Sequence, residues 1–207
     1  MKPIDRYYFV LGDVIIRSLS WTIINTFKDK PIFSDGAIRK KLYECEADYS
    51  LGRISNEKFF IEATKISSMN MGPDEFESII YNKVELIEGI LEVIKELGKQ
   101  YSLFLFSQYS PEFFDELSSR LNISDTFPDK NILYACRTGL PDLTDCLFEK
   151  IISEKWVIPG RSIWIDSDPH RTSASIRAGI DAIIFLDSKR LRREIALRGF
   201  LPLLGDE

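Results

Sequence analysis

The chain has 207 residues, of which 44% are hydrophobic and 29% are charged, and its formal net charge is -5. This composition supports a sizeable hydrophobic core and is unlike that of a disordered chain. The negative charge argues against nucleic acids and anionic membranes as partners, and no apolar run approaches the ~20 residues that span a bilayer. We therefore expect a single domain, or one domain with a small insertion.

The three cysteines are odd in number and lack the spacing of a metal site: Cys45, Cys136 and Cys146. This pattern is typical of reduced thiols, so it predicts a cytoplasmic protein. The first residues carry charge but lead directly into a short strand pattern, and we therefore expect no signal peptide.

An aromatic and β-branched run over residues 6–11 predicts a first strand that is buried on both faces of a parallel sheet. Gly12 and Asp13 follow it and are suited to a tight turn before more apolar residues. Many α/β enzymes place a reactive group in such a turn, at the carboxyl edge of the sheet.

Residues 17–83 have a helical pattern, with apolar side chains three and four positions apart. Ser55 is suited to cap a helix that follows it, and Pro73 is suited to the first turn of another. About 65 residues of helix are too many for an ordinary connection between two strands. The pattern predicts a helical cap subdomain over residues 17–83, inserted into a core domain formed by residues 1–16 and 84–207.

Strand and helix patterns alternate through the rest of the chain. Strands are predicted at 101–106, 132–135, 162–165 and 182–185, and helices at 90–98, 112–121, 143–154, 169–178 and 188–198. This alternation predicts an α/β fold, a three-layer parallel-sheet Rossmann-like core with right-handed crossovers. Ligands of such sheets collect at the carboxyl ends of the strands.

Four short segments lie where these strands end: FVLGDVII at 9–16, LFSQ at 105–108, LPD at 140–142 and IDSDP at 165–169. In order, spacing and position they resemble the four motifs of the haloacid dehalogenase (HAD) superfamily. Those motifs usually read FDLGDVLI, a strand ending in Ser-Asn, Lys-Pro-Asp, and Ile-Asp-Asp-x-Pro. The resemblance covers nearly the whole chain, and the segment from Gly52 to Phe59 is similar to the small helical cap of the phosphatase-like members.

The resemblance implies a set of working residues that this sequence lacks. Members use a nucleophilic Asp, a second Asp two residues later as acid and base, a Lys, and fourth-motif acids that hold Mg²⁺. The first three positions hold Val10, Gly12 and Leu140, none of which carries a carboxylate or an amine. The fourth holds the pair Asp166-Ser167. Because two acids and the base are replaced together by neutral residues, we predict a degenerate, catalytically inactive site.

We predict a ligand-binding site from the residues that remain at the strand ends: Gly12, Asp13, Ser107, Gln108 and Asp166. No metal and no cofactor are expected, since Asp166 alone supplies too few ligands for the Mg²⁺ of the family. Each residue also has a purely structural explanation. Asp13 could form a turn, Ser107 could close a strand end, and an Asp before a helix, such as Asp168, often caps it.

The preferred hypothesis is a catalytically inactive protein of the HAD fold that binds a small ligand or a protein partner at its cap and pocket mouth. The alternative is a divergent HAD-family phosphatase or hydrolase that acts on a small phosphorylated metabolite through Asp13 or Asp166. A third possibility is a purely structural subunit, whose pocket would be filled by its own side chains.

Overall fold

A computed structural model describes residues 4–140 and 142–202. Its sheet has five parallel strands in the order β3-β2-β1-β4-β5. The strands are β1 Arg6–Val10, β2 Ser102–Ser107, β3 Ile132–Tyr134, β4 Ser162–Asp166 and β5 Asp181–Ile184. The α/β fold with a parallel, Rossmann-like sheet is therefore confirmed.

The α-helices first follow β1 in succession and then alternate with the remaining strands. They are α1 Leu19–Thr26, α2 Gly36–Ser50, α3 Asn56–Ile66, α4 Pro73–Lys83, α5 Ile90–Gly98, α6 Pro111–Leu121, α7 Asp145–Ser153, α8 Pro169–Arg177 and α9 Ser188–Leu197. In the described part of the chain, no helix combines the length and hydrophobicity needed to cross a bilayer.

The first strand lies at the centre of the sheet, as its composition predicts. Tyr7 to Val10 have no exposed surface, because β2 and β4 flank the strand and helices cover both faces. The Tyr8 ring stacks on Phe104 of β2, with ring centroids 4.6 Å apart, and its hydroxyl donates to the carbonyl of Trp156. Both ends of this buried tyrosine therefore have a partner.

Helices α1 to α4 lie between two points of the chain that pair with each other. Ile16 and Leu86 form an antiparallel bridge, and Ile87 donates a backbone hydrogen bond of 2.8 Å to the carbonyl of Ile15. The chain thus leaves the sheet and returns to it at one place, as an insertion does. We refer to these four helices as the cap. The exact division at residues 17 and 83 stays a prediction.

The predicted starts of two cap helices are confirmed. The hydroxyl of Ser55 accepts a hydrogen bond of 3.1 Å from the Lys58 amide at the start of α3, and Pro73 is the first residue of α4. The C-terminus of α8 is also as predicted, because Gly179 follows it with a left-handed φ of 80°.

One detail of the elements differs from the prediction, whereas α5 ends at Gly98 as expected. The buried face of α5 includes Val93, and Leu91 is half-buried against the core. Helix α7 begins at Asp145, two residues later than expected, after Thr144 and its contact with Asp142.

Candidate functional site

The carboxyl ends of β1, β2 and β4 meet where the sequence predicts a site. Val10 is the last residue of β1 and pairs with Phe106 of β2. It has no exposed surface and belongs to the hydrophobic core. At this position the chain offers a buried aliphatic side chain, which has no lone pair with which to attack a substrate.

Gly12 and Gln108 are brought together at this edge. The amide of Gly12 donates a hydrogen bond of 2.8 Å to the side-chain oxygen of Gln108. A Cβ on Gly12 would lie 2.8 Å from the hydroxyl oxygen of Tyr109 and 3.1 Å from the same Gln108 oxygen. The close approach of Tyr109 therefore leaves no space for a side chain at position 12.

Asp13 lies in a left-handed turn, and its carboxylate binds the chain that follows it. Its φ is 59°, and its Oδ1 accepts a hydrogen bond of 2.9 Å from the Ser18 amide. It lines a separate groove of about 630 Å³, together with Ser167, Arg17 and residues before and within α9. The turn explanation accounts for this geometry, and the structure does not bring Asp13 together with Gln108.

Ser107 closes the end of β2. It has no exposed surface, and its hydroxyl donates to the Tyr109 carbonyl at 2.9 Å and accepts from the Tyr109 amide at 3.2 Å. The hydroxyl thus both donates to and accepts from the backbone of Tyr109, two residues further along the chain. A ligand at this edge would meet Gln108 before it met Ser107.

Asp166 is fully buried and bound on both oxygens by the guanidinium of Arg171, which lies on α8. The Arg171 Nε lies 2.5 Å from Oδ2, and its Nη2 lies 2.9 Å from Oδ1. The indole of Trp164 and the amide of Asp168 each donate a further hydrogen bond of 2.9 Å. Four donors therefore satisfy this carboxylate inside the protein.

Arg171 keeps its positive charge beside Asp166. Burial on its own lowers the pKa of Arg171, but the charge and hydrogen bonds of Asp166, with a contribution from Asp168, raise it above its ordinary value. Asp168 also caps α8, since its Oδ1 accepts from the His170 amide at 2.8 Å and from the Arg171 amide at 3.4 Å. The capping role predicted for Asp168 is confirmed.

These residues do not fit the magnesium ion of the HAD family. The side chain of Val10 supplies no oxygen, and the oxygens of Asp166 already accept from Arg171, whose positive charge also opposes a cation at that place. Within the described ranges, His, Cys, Asp and Glu do not form any group of three or more suited to a metal ion.

A second buried carboxylate enters the site from the cap. Glu46 of α2 accepts hydrogen bonds of 2.9 Å from the amides of Leu19 and Ser20, at the start of α1. It also accepts one of 2.6 Å from the Tyr109 hydroxyl. Glu46 therefore holds the first turn of α1 and the loop after β2 together, which fixes the cap against the core.

Burial dominates the protonation of this cluster. It raises the pKa of Glu46 although the hydrogen bonds of its donors lower it, and it raises the pKa of Tyr109 together with the charge of Glu46. Tyr109 therefore keeps its proton and donates a hydrogen bond to Glu46. The groups shown to donate to Glu46, two amides and this hydroxyl, are all neutral.

A further open space lies between the cap and the core, beside Gln108 and Arg171. It is a cleft of about 230 Å³, which we call the cap–core cleft, and its lining is Ala47, Ser50, Leu51, Gln108, Asp142, Leu143, Thr144, Asp168 and Arg171. Leu140 is half-buried and packs against the core. Its neighbour Pro141, part of the predicted third motif, lies outside the described residues.

Sequence reasoning missed Glu46, Tyr109 and Arg171, which decide the chemistry of this edge. Arg171 follows Asp166 by five residues and lies in the first helical turn after a strand end, which is a detectable signal. Tyr109 directly follows the predicted Gln108. Glu46 lies among many polar residues of α2, and nothing in its local sequence marks it as buried.

Solved structures of the HAD fold match nearly the whole chain. An HAD-family enzyme from Bacteroides thetaiotaomicron, in complex with magnesium and inorganic phosphate, is 12% identical with a TM-score of 0.64, over 91% of this chain and 98% of that one. L-2-haloacid dehalogenase from Xanthobacter autotrophicus, with chloropropionic acid covalently bound, is 13% identical with a TM-score of 0.65, over 96% and 85%.

A HAD-like family hydrolase from Porphyromonas gingivalis is 19% identical, with a TM-score of 0.64 over 94% of this chain and 97% of that one. No protein-family model and no curated protein matches the sequence. The chain therefore has the HAD fold, as its four motifs predict, and at these identities the likeness describes the fold alone.

Proposed function

We propose that this protein is a catalytically inactive member of the HAD superfamily that binds a small polar ligand in the cap–core cleft. The observation that carries the proposal is the ion pair between Asp166 and Arg171. The resemblance assigns a metal ligand to the fourth motif, and here a guanidinium of the chain itself binds that carboxylate. The guanidinium of Arg171, which is part of the chain, takes the place that the exchangeable Mg²⁺ has in the family.

The first motif supports the same proposal. An acyl-phosphate needs a carboxylate where Val10 stands, and acid–base transfer needs a side chain where Gly12 stands. Tyr109 occupies the space that a side chain at position 12 would need. Restoring the family residues would therefore require changes at several contacting positions together.

The cleft is suited to a small polar molecule. At about 230 Å³ it is smaller than the ~300–1,000 Å³ of most ligand pockets. Its lining offers the amide of Gln108, the guanidinium of Arg171 and the carboxylates of Asp142 and Asp168, beside apolar Leu51. The open volume favours a ligand over the purely structural role, and its size favours a small molecule over a protein segment.

The alternative, a divergent phosphatase, is favoured by the fold it shares with an enzyme that was solved with magnesium and phosphate. Asp13 is its candidate nucleophile. That carboxylate accepts from the Ser18 amide and lines a different groove from Gln108 and Arg171. The alternative therefore predicts chemistry in the groove beside α9, away from the cleft.

Turnover measurements separate the two functions. The purified protein, its Asp13→Asn and Asp166→Asn variants, and a control Asp29→Asn in an exposed loop are assayed with Mg²⁺ against a panel of phosphate esters. We expect the same background from all four. Turnover that the control retains and either other variant loses would establish the phosphatase and overturn the proposal.

Binding is tested by a thermal-shift screen of small polar metabolites, followed by calorimetry on each compound that raises the melting temperature. Gln108→Met removes the amide from the cleft, and Gln100→Met makes the same change at an exposed position. We expect affinity to fall at least about tenfold in the first variant only. A screen without any binder would favour the purely structural role.

A further inference from the structure

The large hydrophobic side chains that the described residues expose are concentrated on one face of the molecule. Four of the five line a single groove of about 650 Å³: Ile176, Ile184, Leu186 and Leu197. The fifth, Tyr43, lies on α2 in the cap. We call this concave surface the β5 groove. Its residues are all different from those of the cap–core cleft.

The groove is built on the edge of the sheet. Strand β5 is last in the strand order, and α8 and α9 stand on either side of it. Leu186 and Leu197 are 62% and 65% exposed. Grouped exposed side chains of this size mark interaction sites more often than scattered ones do, and an unpaired edge strand adds backbone donors and acceptors.

Helix α9 contributes Arg190 and Arg193 to the β5 groove, whereas its Lys189 and Arg192 line the groove beside Asp13. It carries Lys189, Arg190, Arg192 and Arg193 against one carboxylate, Glu194, whereas the whole chain has a net charge of -5. Two of these charges are already neutralised by ion pairs, Arg192 by Glu96 and, weakly, Arg190 by Asp187. Arg198, which follows the helix, pairs with Glu194 and Asp181. Among the described residues, no carboxylate pairs with Arg193, which lines the groove.

We propose that the β5 groove binds a peptide segment of a partner protein that carries large apolar side chains flanked by carboxylates. The apolar residues fill the concavity, and the acids pair with Arg193 and its neighbours. A second copy of this chain is a poorer occupant, because a two-fold contact would bring the two α9 helices and their like charges together. A membrane is also poorer, because these apolar residues line a concave surface and the chain is acidic.

The test selects a random displayed-peptide library on the folded protein, with counter-selection on Ile184→Asp. A synthetic peptide of the enriched sequence is then titrated by fluorescence anisotropy. We expect apolar residues flanked by acids, and an affinity that falls at least about tenfold in Ile184→Asp and in Arg193→Glu. Tyr43→Asp, which places the same charge at the exposed aromatic of the cap, should leave it unchanged.

Other outcomes overturn the proposal. A library without enrichment, an enriched sequence that lacks acids, or an affinity insensitive to Arg193→Glu would each contradict it. Dimerisation in analytical ultracentrifugation that Ile184→Asp abolishes would assign the groove to a second copy. Binding to anionic vesicles that the same variant loses would assign it to a lipid surface. Melting temperatures of the variants within the range of the parent exclude loss of fold as the cause.

Discussion

The two buried carboxylates at the carboxyl edge of the sheet are stabilised in different ways. Asp166 faces the guanidinium of Arg171, so its charge is compensated by an opposite charge. Glu46 accepts from two amides and the hydroxyl of Tyr109, and burial raises its pKa. Asp166 is therefore stabilised by a cation, whereas Glu46 is stabilised by neutral donors.

The difference shows two ways in which a buried carboxylate can be stabilised at this edge of the sheet. A buried carboxylate is costly unless it is paired or can take up a proton. Asp166 follows the first route, which requires Arg171 at one position of α8. Glu46 follows the second, and through it a residue of the cap contacts the loop after β2. Substitutions at Arg171 and at Glu46 should therefore change the free energy of unfolding by different amounts and with a different dependence on pH.

The largest effect is expected from Arg171→Met, which leaves Asp166 buried and without its cation. We expect the free energy of unfolding to fall by about 3–5 kcal/mol, since one partner of a buried pair is removed. Urea denaturation followed by circular dichroism measures it.

The matched control is Arg177→Met on the same helix. Arg177 pairs with Asp145 at 2.7 Å, but both side chains are more than half exposed, so the expected loss is below about 1 kcal/mol. Equal losses in the two variants would show that the Asp166–Arg171 contact has no special role. The double variant Asp166→Asn, Arg171→Met should recover part of the loss, because it removes the orphaned charge.

A smaller effect is expected from Glu46→Ala. The variant leaves the amides of Leu19 and Ser20 without their acceptor, and we expect a loss of about 1–3 kcal/mol. Glu44→Ala, at an exposed position of the same helix, should change stability by less than about 0.5 kcal/mol. A Glu46→Ala protein as stable as this control would mean that water replaces the carboxylate without cost.

Gly12→Ala tests the close contact between position 12 and Tyr109. The new Cβ would lie 2.8 Å from the tyrosine hydroxyl oxygen, and we expect a loss of about 1–2 kcal/mol from the displacement that follows. Gly36→Ala is the control, because a Cβ there meets nothing within 4 Å. Adding Tyr109→Phe should cancel part of the Gly12→Ala loss, and strict additivity of the two changes would contradict the contact.

The pH dependence of stability should distinguish the wild type from the Glu46→Gln variant. The folded state raises the pKa of Glu46 above its ordinary value of 4.5, so the folded protein keeps a proton that the unfolded chain has lost. Stability from this group is full below pH 4.5 and falls as the pH rises through the folded pKa. We expect the stability difference between the wild type and Glu46→Gln to shift against the wild type over that range. A difference independent of pH would show that Glu46 titrates normally.

The fold could be predicted from the sequence because it depends on patterns that are local. The buried run of β1, the cap of Ser55 and the glycine after α8 each act over a few residues. The ends of the strands at this edge could also be located from the sequence, including Val10 at the end of β1. The sequence could not show which side chains meet there, because the contact of Glu46 with Tyr109 joins positions 63 residues apart.

The exposed groove was beyond sequence reasoning for a related reason. Lys189 and Arg193 lie on an exposed face of α9, as in an ordinary solvated helix. Leu197 of α9 and Ile176 of α8 line one groove beside β5, which is the last strand of the sheet. Strand order is a property of the whole chain, and no window of sequence contains it.

The smallest effect on stability is expected from added magnesium, which tests the Asp166–Arg171 ion pair without any mutation. An ion that binds only the folded state raises its stability by RT ln(1 + [L]/Kd), so a site with millimolar affinity becomes visible as the concentration exceeds that value. Here the ion would have to displace Arg171, because the guanidinium engages both oxygens of Asp166. We expect no change in melting temperature between magnesium chloride and sodium chloride of equal ionic strength. A rise in melting temperature that is specific to magnesium and absent from Asp166→Asn would show that the metal displaces Arg171 from the carboxylate. Asp166 would then belong to an exchangeable metal site like that of the family.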